Sequence, residues 1–302
     1  MNVLVSGSHG LIGSALVPLL TSGGHRVRRL VRVPAQAEGD AIAWDPERGL
    51  LDAAQLAGID AVVHLAGENI ASGRWTAAKK LRIRDSRVGP TRRLCEALAR
   101  GTPPPRVLVS ASAIGYYGSR GDELLTEESP PGSGFLATVC LDWERATQPA
   151  RDAGIRVVNL RIGVVLSPAG GALAQMLLPF RLGVGGTIGD GHQFMSWIAL
   201  DDLIGAIQHV LVTDRLSGPV NAVAPNPVTN REFTKTLGKV LGRPTILPMP
   251  AFAARLLFGE LADELLLSSA RVQPVQLLQT DYVFRFPHLE GALRHLLGKA
   301  AP

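Results

Sequence analysis

The chain has 302 residues, of which 46% are hydrophobic and 19% charged, and it carries a formal net charge of +5 at pH 7. This length and composition are typical of a globular protein that buries a large core, either as one big domain or as a domain with a smaller lobe. The arginines are spread along the chain, which argues against a nucleic-acid partner, and no stretch approaches the ~20 uninterrupted apolar residues of a membrane span.

The first predicted elements are a strand, a glycine turn and a helix within residues 1–20. The apolar run 3–5 leads to Gly7, Gly10 and Gly13, and apolar residues at helical spacing follow. In such a turn the glycines permit a sharp bend, close approach of a pyrophosphate and tight helix packing, and the helix N-terminus offers free N–H groups. The pattern predicts a dinucleotide site, and a tight turn without a ligand is the alternative. The predicted contacts are Gly7, Ser8, His9, Gly10, Leu11, Ile12 and Gly13.

The second predicted strand, 26–32, decides which nicotinamide cofactor is favoured. An NAD-specific site has a carboxylate at the end of this strand, whereas here Arg29 and Arg32 stand there and no acidic residue occurs before Glu38. A guanidinium pairs with a 2′-phosphate, so the sequence favours NADP(H) over NAD(H). Arg32 is the predicted contact because it lies at the strand-to-loop boundary. The alternative is a solvated strand end.

The next buried-looking strand, within 60–67, ends in small residues. Small side chains at strand ends let a cofactor lie across an open α/β sheet, which makes Leu65, Ala66 and Gly67 candidate cofactor contacts. His64 lies inside the apolar run and is interpreted as a core histidine with satisfied hydrogen bonds.

A basic helix is predicted from about Thr76, after a polar loop over 68–75. Its cations are Lys79, Lys80, Arg82, Arg84 and Arg87. Most of them are interpreted as a solvated helix face. Arg82 and Arg87 are also candidate phosphate contacts, because the helix feeds the nucleotide cleft.

The strand at 106–110 runs into a loop that carries hydroxyl groups. Ser110 and Ala111, at the end of this strand, are candidate cofactor contacts. Ser112, Tyr116 and Tyr117 follow on a loop that faces the crevice, and they are the candidate catalytic residues. The alternatives are a loop-capping hydroxyl for Ser112 and rings that fill the pocket wall for the tyrosines.

From these motifs the sequence resembles the extended branch of the short-chain dehydrogenase/reductase superfamily, the NAD-dependent epimerase/dehydratase-like proteins, over most of its length. Residues 160–168 resemble that branch's strand and turn beside the nicotinamide, which makes Ile162 a predicted cofactor contact. Residues 188–193 and 196–202 resemble its substrate-side segment.

Several short motifs carry a narrower resemblance. They are residues 65–70, 74–75, 84–87, 110–118, 142–144, 259–260 and 286–287. Together they resemble an uncharacterised oxidoreductase or sugar-nucleotide-epimerase-like subfamily, some of whose members carry a cell-division-inhibitor label. This resemblance implies a fold and a cofactor, and it does not imply a particular substrate.

The chain departs from the larger branch where that branch has a Tyr-x-x-x-Lys pair, which moves the substrate proton. The corresponding helix, within 133–144, contains neither residue type. Depending on register, Phe135 or Leu136 stands at the tyrosine position and Val139 or Cys140 at the lysine position. The asparagine that often accompanies the pair is also missing, with Ser86 or Arg87 near its place.

Three functions fit these observations. In the first, the protein is an NADP(H)-dependent oxidoreductase or epimerase-like enzyme whose proton relay uses Ser112, Tyr116 or Tyr117, with or without Arg87. In the second, it binds NADP(H) and reports the redox state to a partner without turnover. The third, an ordinary nucleotide-sugar epimerase, is disfavoured by the missing pair.

The sequence pattern in the second half of the chain predicts a smaller lobe. A short helix and loop over 172–191, a strand over 219–223, a helix starting at Asn230 and an extended linker over 244–250 precede a helical segment, 251–297. Asp201 and Asp202 open a helix and are explained by the helix dipole. Glu260, Asp263 and Glu264 are interpreted as surface residues. The substrate pocket is expected between the loop 68–75, the two tyrosines and residues near 194–197.

The predicted fold is α/β, a doubly wound, mostly parallel Rossmann sheet with a smaller C-terminal lobe. The predicted division is a dinucleotide-binding core over 1–168 and a mixed lobe over 169–302, with some strands returning to the core.

The N-terminus lacks the order of a cleavable signal, and Cys95 and Cys140 have no metal-ligand spacing. We therefore expect a cytoplasmic protein without a metal site, a membrane or a nucleic-acid partner. We expect it to act on an unknown small molecule, as a monomer or homodimer.

Overall fold

A computed structural model describes residues 1–32, 39–47, 51 and 53–300 of the chain. The strands are β1 Asn2–Ser6, β2 Arg26–Val31, β3 Ala41–Ala43, β4 Ala61–His64, β5 Val107–Ala113, β6 Leu124–Leu125, β7 Arg156–Ile162, β8 Val164–Leu166, β9 Phe194–Met195, β10 Trp197–Ala199, β11 Gly218–Ala222, β12 Val228–Thr229 and β13 Arg271–Val272. Seven of them form one parallel sheet in the order β3-β2-β1-β4-β5-β7-β11. The direction of winding reverses between β1 and β4, which is where an open α/β sheet binds its ligand.

The helices lie on both faces of this sheet. They are α1 Leu11–Ser22, α2 Ala77–Asp85, α3 Val88–Ala99, α4 Phe135–Arg145, α5 Gln148–Asp152, α6 Gly171–Arg181, α7 Leu200–Val212, α8 Asn230–Leu241, α9 Ala251–Phe258, α10 Val275–Gln279 and α11 Leu289–Leu296. Alternate residues of β1 face opposite sides, so Val3 packs with α1 and α7 while Leu4 packs with α3. Burial on both faces explains the continuous apolar runs of the central strands. The predicted doubly wound parallel fold is confirmed.

The second half of the chain builds a lobe and also returns to the sheet. β11 joins the edge of the main sheet beside β7, and α7 packs against its core. A separate apolar cluster, which includes Trp197 and Phe233, holds α6, α8 and α11 together. The segment 251–297 is less helical than predicted, because a π-helical turn, Ala262–Leu266, and the strand β13 interrupt it. β13 pairs with β6, so this segment is tied to the loop that follows β5.

Of two local predictions about helix starts, one is confirmed and one needs correction. α8 begins at Asn230 as predicted, and its N-cap Thr229 forms a capping box with Glu232. Asp202 is fully buried, and its carboxylate accepts the backbone N–H groups of Arg285 (2.7 Å) and Phe286 (3.0 Å). The helix dipole is therefore an incomplete explanation, since Asp202 also fastens the C-terminal segment to α7.

Among the residues that the structure describes, no helix combines the length and the apolar character needed to cross a membrane.

A buried hydrogen-bond chain joins the ends of β1 and β4 to two helices. His64 is fully buried, with Nδ1 2.6 Å from Ser6 Oγ and Nε2 3.0 Å from Thr91 Oγ1. Thr91 Oγ1 also accepts the indole N–H of Trp143 at 2.9 Å, and Ser6 Oγ accepts the Leu65 N–H at 3.2 Å. The predicted core histidine is confirmed. Its bonds fix the strand ends directly below Gly7 and Leu65.

We expect the stability of the fold to depend on the charge of His64. Burial lowers the pKa of His64 from 6.5 to about 4, so the folded protein keeps the ring neutral. Stability from this group is complete above pH 6.5 and is lost as the pH falls toward 4. Between pH 7.5 and pH 5 the loss is about 2 kcal/mol, because the unfolded chain binds the proton first.

Urea unfolding at both pH values measures this loss. The variant His64→Gln is expected to be less stable at pH 7.5 but to lack this part of the pH dependence, whereas His288→Gln, which changes an exposed histidine, keeps it. An unchanged pH dependence in His64→Gln would contradict the assignment.

Candidate functional site

The glycine turn after β1 has no room for side chains. Gly7 has φ +69°, and a Cβ there would lie 2.8 Å from the carbonyl carbon of Leu65. A Cβ on Gly13 would lie 2.3 Å from the Gly7 oxygen. α1 begins after Gly10, which offers no capping side chain, and its first turn has no acidic residue. The first N–H groups of α1 therefore have no side-chain cap, which is the arrangement that a phosphate-binding turn requires.

The other side of the cradle is the end of β4. Leu65 and Ala66 are half-buried there, Gly67 is exposed, and Gly7 packs against the first two. Arg87 stands beside Gly67, since a Cβ on that glycine would be 3.2 Å from the Arg87 Cζ. The structure thus brings Leu65, Ala66, Gly67 and Arg87 to the glycine turn.

The guanidinium group of Arg87 interacts with other residues of the protein. Its guanidinium donates to the carbonyl oxygens of Ile83 and Glu68, both at 2.9 Å, and it lies over the Trp143 ring at 5.1 Å. Burial lowers the pKa of Arg87, and the negative charge of Glu68 partly offsets this. Arg87 therefore holds the end of β4 and the following loop in place.

The loop 68–75 is also fixed from α2. Lys79 is only 4% exposed, and its ammonium donates at 2.7 Å to Glu68 Oε1, the Asn69 oxygen and Ser72 Oγ. The hydrogen bond from Lys79 lowers the pKa of Glu68. The interpretation of this helix as a solvated cationic face fails for Lys79, because three acceptors within one loop satisfy all of its donors.

Two of the predicted phosphate contacts are exposed. Arg32 follows β2, and Arg82 lies on α2. Neither side chain has a hydrogen bond to any residue within the described ranges, so both guanidinium groups are available to an anion. Glu38, the first acidic residue after β2, lies outside the described residues.

The end of β5 belongs to a buried polar row, which we define as Ser112, Glu144, Arg161, Tyr117 and Asn221. Ser112 Oγ donates to Glu144 Oε1 at 2.8 Å, and Arg161 donates to both oxygens of Glu144 at 2.8 and 2.9 Å. Tyr117 accepts from Arg161 at 2.9 Å and donates to Asn221 Oδ1 at 2.7 Å. Ser112, Arg161 and Asn221 are direct neighbours on β5, β7 and β11.

The surroundings of the row favour a charged Arg161 and a neutral Tyr117. Burial disfavours the charge of Arg161, but the hydrogen bonds and charge of Glu144 outweigh it and raise the pKa of Arg161. Burial raises the pKa of Tyr117 to about 12. Ser112 is 2% exposed and Tyr117 is fully buried, so both hydroxyl groups are committed to partners inside the protein.

A second carboxyl group lies at the end of the row. Glu127 Oε1 accepts the N–H groups of Asn221 (3.0 Å) and Gln276 (3.2 Å), while Oε2 is buried without a partner among the described residues. Burial raises the pKa of Glu127, and these backbone hydrogen bonds oppose the rise. Glu127 thus connects the row to α10.

Tyr116 differs from the other two candidate catalytic residues. Its ring packs under the Arg161 guanidinium, 3.5 Å from Cζ to ring centroid, and against the edge of Tyr117 at 5.3 Å. These contacts bury the ring and fix its orientation. Within the described residues no group hydrogen-bonds to the Tyr116 hydroxyl, and that oxygen is not among the buried unpartnered atoms. It is the candidate hydroxyl that is still free to meet a substrate.

The remaining cofactor candidates on the sheet follow the strand ends. Ser110 is fully buried beside His64, and its hydroxyl has no partner in the described part of the chain. Ala111 is 7% exposed. Ile162 ends β7 and is half-buried between Ala113 and Ala222 of the neighbouring strands. Ser8 is buried and His9 exposed in the glycine turn.

The structure decides the register of α4. A Cβ on Gly115 would lie 3.3 Å from Leu136 Cβ and 3.7 Å from Cys140 Sγ, so these two residues face the loop after β5. Of the two registers that the sequence left open, Leu136 and Cys140 are the pair that faces this loop. Burial raises the pKa of Cys140 to about 12, which leaves it a neutral thiol.

The first turn of α4 is capped from the C-terminal segment. Glu264 accepts the N–H groups of Phe135 (3.1 Å) and Leu136 (3.2 Å) with its two oxygens. The interpretation of Glu264 as a surface residue was wrong, whereas Glu260 and Asp263 are exposed in ion pairs with Lys80 and Arg255. This capping contact spans 128 residues of sequence, so no local pattern points to it.

A cavity of about 420 Å³ lies where the C-terminal segment meets the body of the protein. Its walls include Asp122 of the loop after β5, His192 and Gln193, and Arg255 and Ser269 of the C-terminal segment. The volume is within the range of small-molecule sites. The walls differ from the expected ones at 68–75, the tyrosines and 194–197, and Trp197 is fully buried.

Comparisons with known proteins show which family the chain is similar to. A family model described as the NAD dependent epimerase/dehydratase family matches residues 3–222, and one described as a domain of unknown function matches residues 249–296. An epimerase family protein of Mycobacterium tuberculosis is 46% identical over 291 residues, which cover 96% of each chain.

Solved structures give the same result. The crystal structure of human epimerase family protein SDR39U1 (isoform 2) with NADPH has a TM-score of 0.92 at 38% identity, covering 99% of this chain and 100% of that one. A nucleoside-diphosphate sugar epimerase from Corynebacterium glutamicum has a TM-score of 0.82 at 41% identity, covering 99% of this chain and 58% of that one. The resemblance stated from the sequence motifs is confirmed.

The buried polar row predicts a large effect of breaking one ion pair. Glu144→Gln would leave the Arg161 charge buried and unpaired, which we expect to lower the free energy of unfolding by about 3–5 kcal/mol. Asp40→Asn is the matched control, because it breaks an exposed pair with Arg26 and is expected to leave stability nearly unchanged. Urea unfolding of both variants makes the comparison, and equal effects would show that the Glu144–Arg161 pair is dispensable.

Proposed function

The chain belongs to the NAD dependent epimerase/dehydratase family, and from this premise we propose that it is an NADP(H)-dependent oxidoreductase or epimerase-like enzyme. Its substrate would be a small molecule with a carbonyl or hydroxyl group. The observation that carries the proposal is the hydroxyl of Tyr116, which has no partner among the described residues although Arg161 fixes its ring. The human relative crystallised with NADPH supports the choice of cofactor.

The residues present fit a dinucleotide. A Cβ at Gly7 or Gly13 would collide with backbone, so this turn keeps its N–H groups accessible to a pyrophosphate. Arg32 at the end of β2 would pair with a 2′-phosphate, and Leu65, Ala66 and Ile162 would line the walls. The bound cofactor would supply or accept a hydride at its nicotinamide ring.

The proton partner in this proposal is Tyr116. The hydroxyl groups of Ser112 and Tyr117 already donate hydrogen bonds to Glu144 and Asn221. Removing either proton would therefore break a hydrogen bond of the buried polar row. The Tyr116 hydroxyl donates no hydrogen bond to any described residue, and its ring is fixed from one side by Arg161 and from another by Tyr117. A positioned group of this kind typically contributes 10²–10⁴-fold to a rate.

A second function, a non-catalytic NADP(H)-sensing regulatory protein, is favoured by one observation. α4 presents Leu136 and the neutral thiol of Cys140 where the larger family has its proton-moving pair. An intact cofactor cradle beside an apolar helix face is what a sensor would retain. The two functions differ in whether bound NADPH is ever oxidised.

Cofactor preference tests the first step of the proposal. Arg32→Asp is expected to weaken NADPH binding by at least ten-fold and NADH binding by much less, because only NADPH carries the phosphate that Arg32 would pair with. Arg100→Asp, an exposed arginine after α3, is the matched control and should change neither affinity. Fluorescence titration measures both, and equal losses for the two cofactors would make Arg32 a structural residue.

Turnover tests the second step. With a panel of aldehydes, ketones and quinones, Tyr116→Phe is expected to lower the rate of NADPH oxidation at least 100-fold while leaving NADPH affinity within two-fold. Tyr117→Phe is the matched control, because it removes a buried hydroxyl from Arg161 and Asn221. We expect it to cost about 1–3 kcal/mol of stability but to keep turnover.

Two results would contradict the proposal in different ways. Full activity of Tyr116→Phe would remove Tyr116 as the proton partner. Tight NADPH binding without oxidation by any compound of the panel would favour the sensor.

A further inference from the structure

The cavity of about 420 Å³ is walled by three segments that are fastened to each other. They are the loop after β5 at 121–122, the turn 189–193 and the C-terminal segment. Ser269 Oγ donates to the Gly121 oxygen and accepts the Phe194 N–H at 2.9 Å, so one buried hydroxyl joins all three segments. The folded chain therefore forms the cavity by itself, and its volume is at the lower end of the range of small-molecule sites.

Gln193 lines this cavity and presents a fixed hydrogen-bond acceptor. The residue is 7% exposed, and its Nε2 donates to the carbonyl oxygens of Ile188 (3.0 Å) and Leu266 (2.9 Å). These two bonds use both donors of the amide, so they determine which end of it is the oxygen. Oε1 accepts no hydrogen bond from any described residue, and it is not among the buried unpartnered atoms, so it is open to a ligand.

Two carboxylates add further acceptors. Asp122 and Asp190 both line the cavity, and both are exposed. Asp190 Oδ1 accepts the His192 N–H at 2.9 Å, whereas its Oδ2 and both oxygens of Asp122 have no partner within the described ranges. An ionised carboxylate only accepts hydrogen bonds, so a ligand must meet these oxygens with donors.

The basic groups at the cavity are partly used. Arg255 Nε is paired with Asp263 at 2.9 Å, and its two terminal nitrogens have no partner in the described part of the chain. Arg231 lies close by, but its guanidinium donates to the backbone oxygen of Asp190 (2.8 Å), which leaves the carboxylate of Asp190 open. The groups that are free to meet a ligand are therefore mainly acceptors.

We propose that this cavity binds a small polyhydroxylated amine in its ammonium form. Ammonium and hydroxyl groups supply donors to Gln193 Oε1, Asp122 and Asp190. A ligand hydroxyl oxygen also accepts from the terminal nitrogens of Arg255. The inference is independent of the proposed function, because it concerns binding alone and holds for an enzyme and for a sensor.

This ligand class differs from nucleotide-linked sugars. A diphosphate would bring negative charge close to the carboxylates of Asp122 and Asp190. A nucleobase would have no ring to stack on, because no Phe, Tyr or Trp is among the described residues that line the cavity. The volume also favours a compact ligand.

Isothermal titration calorimetry of the full chain with three probes of one carbon skeleton tests the proposal. The probes are D-glucamine, D-sorbitol and D-gluconate, which are cationic, neutral and anionic at neutral pH. D-glucamine is expected to bind at least ten-fold more tightly than D-sorbitol, and D-gluconate is expected not to bind. The titrations are made in about 0.15 M NaCl, because this salt screens attraction to exposed charges at a distance.

Two variants locate the binding. Asp122→Asn and Asp190→Asn keep the shape of the side chain and remove its charge. Each is expected to weaken D-glucamine binding at least ten-fold and D-sorbitol binding less than three-fold, a difference that a general loss of structure would not produce. Asp214→Asn is the matched control, because Asp214 is fully exposed and lies outside the cavity lining, and it should change neither affinity. NADPH affinity should stay within two-fold in all three variants, so this test is separate from that of Tyr116→Phe.

Three results would overturn the proposal. The first is D-glucamine binding that is no tighter than that of D-sorbitol. The second is D-glucamine binding that persists unchanged in Asp122→Asn and in Asp190→Asn, since the ligand would then lie elsewhere. The third is an equal loss of binding in Asp214→Asn, since the attraction would then come from the charge of the protein surface as a whole.

Discussion

The site depends on one buried ion pair, that between Glu144 of α4 and Arg161 of β7. Two charges inside a protein persist only when hydrogen bonds satisfy them, and here Ser112 and Tyr117 supply the bonds that the pair leaves open. The same guanidinium supports the ring of Tyr116. One interaction therefore joins a helix, two strands and the loop after β5, and it decides which hydroxyls are left for chemistry.

The C-terminal segment is the second constraint on this site. Glu264 caps α4, Asp202 fastens residues 285–286 to α7, and β13 pairs with β6. Each contact crosses from one matched family region to the other, since one covers residues 3–222 and the other 249–296. The two matched regions are therefore fastened to each other at three separate places.

The sequence was sufficient where the physical cause is local. Glycine positions determine the turn, continuous apolar runs indicate strands buried on both faces, and His64 inside such a run was interpreted as a core residue, which its hydrogen bonds confirm. It was insufficient where partners are distant in sequence. Ser112 and Glu144 are 32 residues apart in sequence, and Tyr117 and Asn221 are 104 apart. The hydrogen bonds of these two hydroxyl groups could therefore not be predicted from the sequence. The charge of Arg161, between Leu160 and Ile162 of a strand, was the available signal, because a buried charge requires a partner.

The assignment of function reduces to a question about one oxygen atom. The cradle at Gly7, Gly10 and Gly13 is shared by both proposed functions, so it cannot separate an enzyme from a sensor. α4 contributes no proton-moving group, because Leu136 cannot ionise and the thiol of Cys140 is held neutral. The hydroxyl protons of Ser112 and Tyr117 form hydrogen bonds within the buried polar row. Of the three candidate hydroxyls, that of Tyr116 alone has no partner among the described residues, so the proposed enzyme depends on this oxygen whereas the proposed sensor does not.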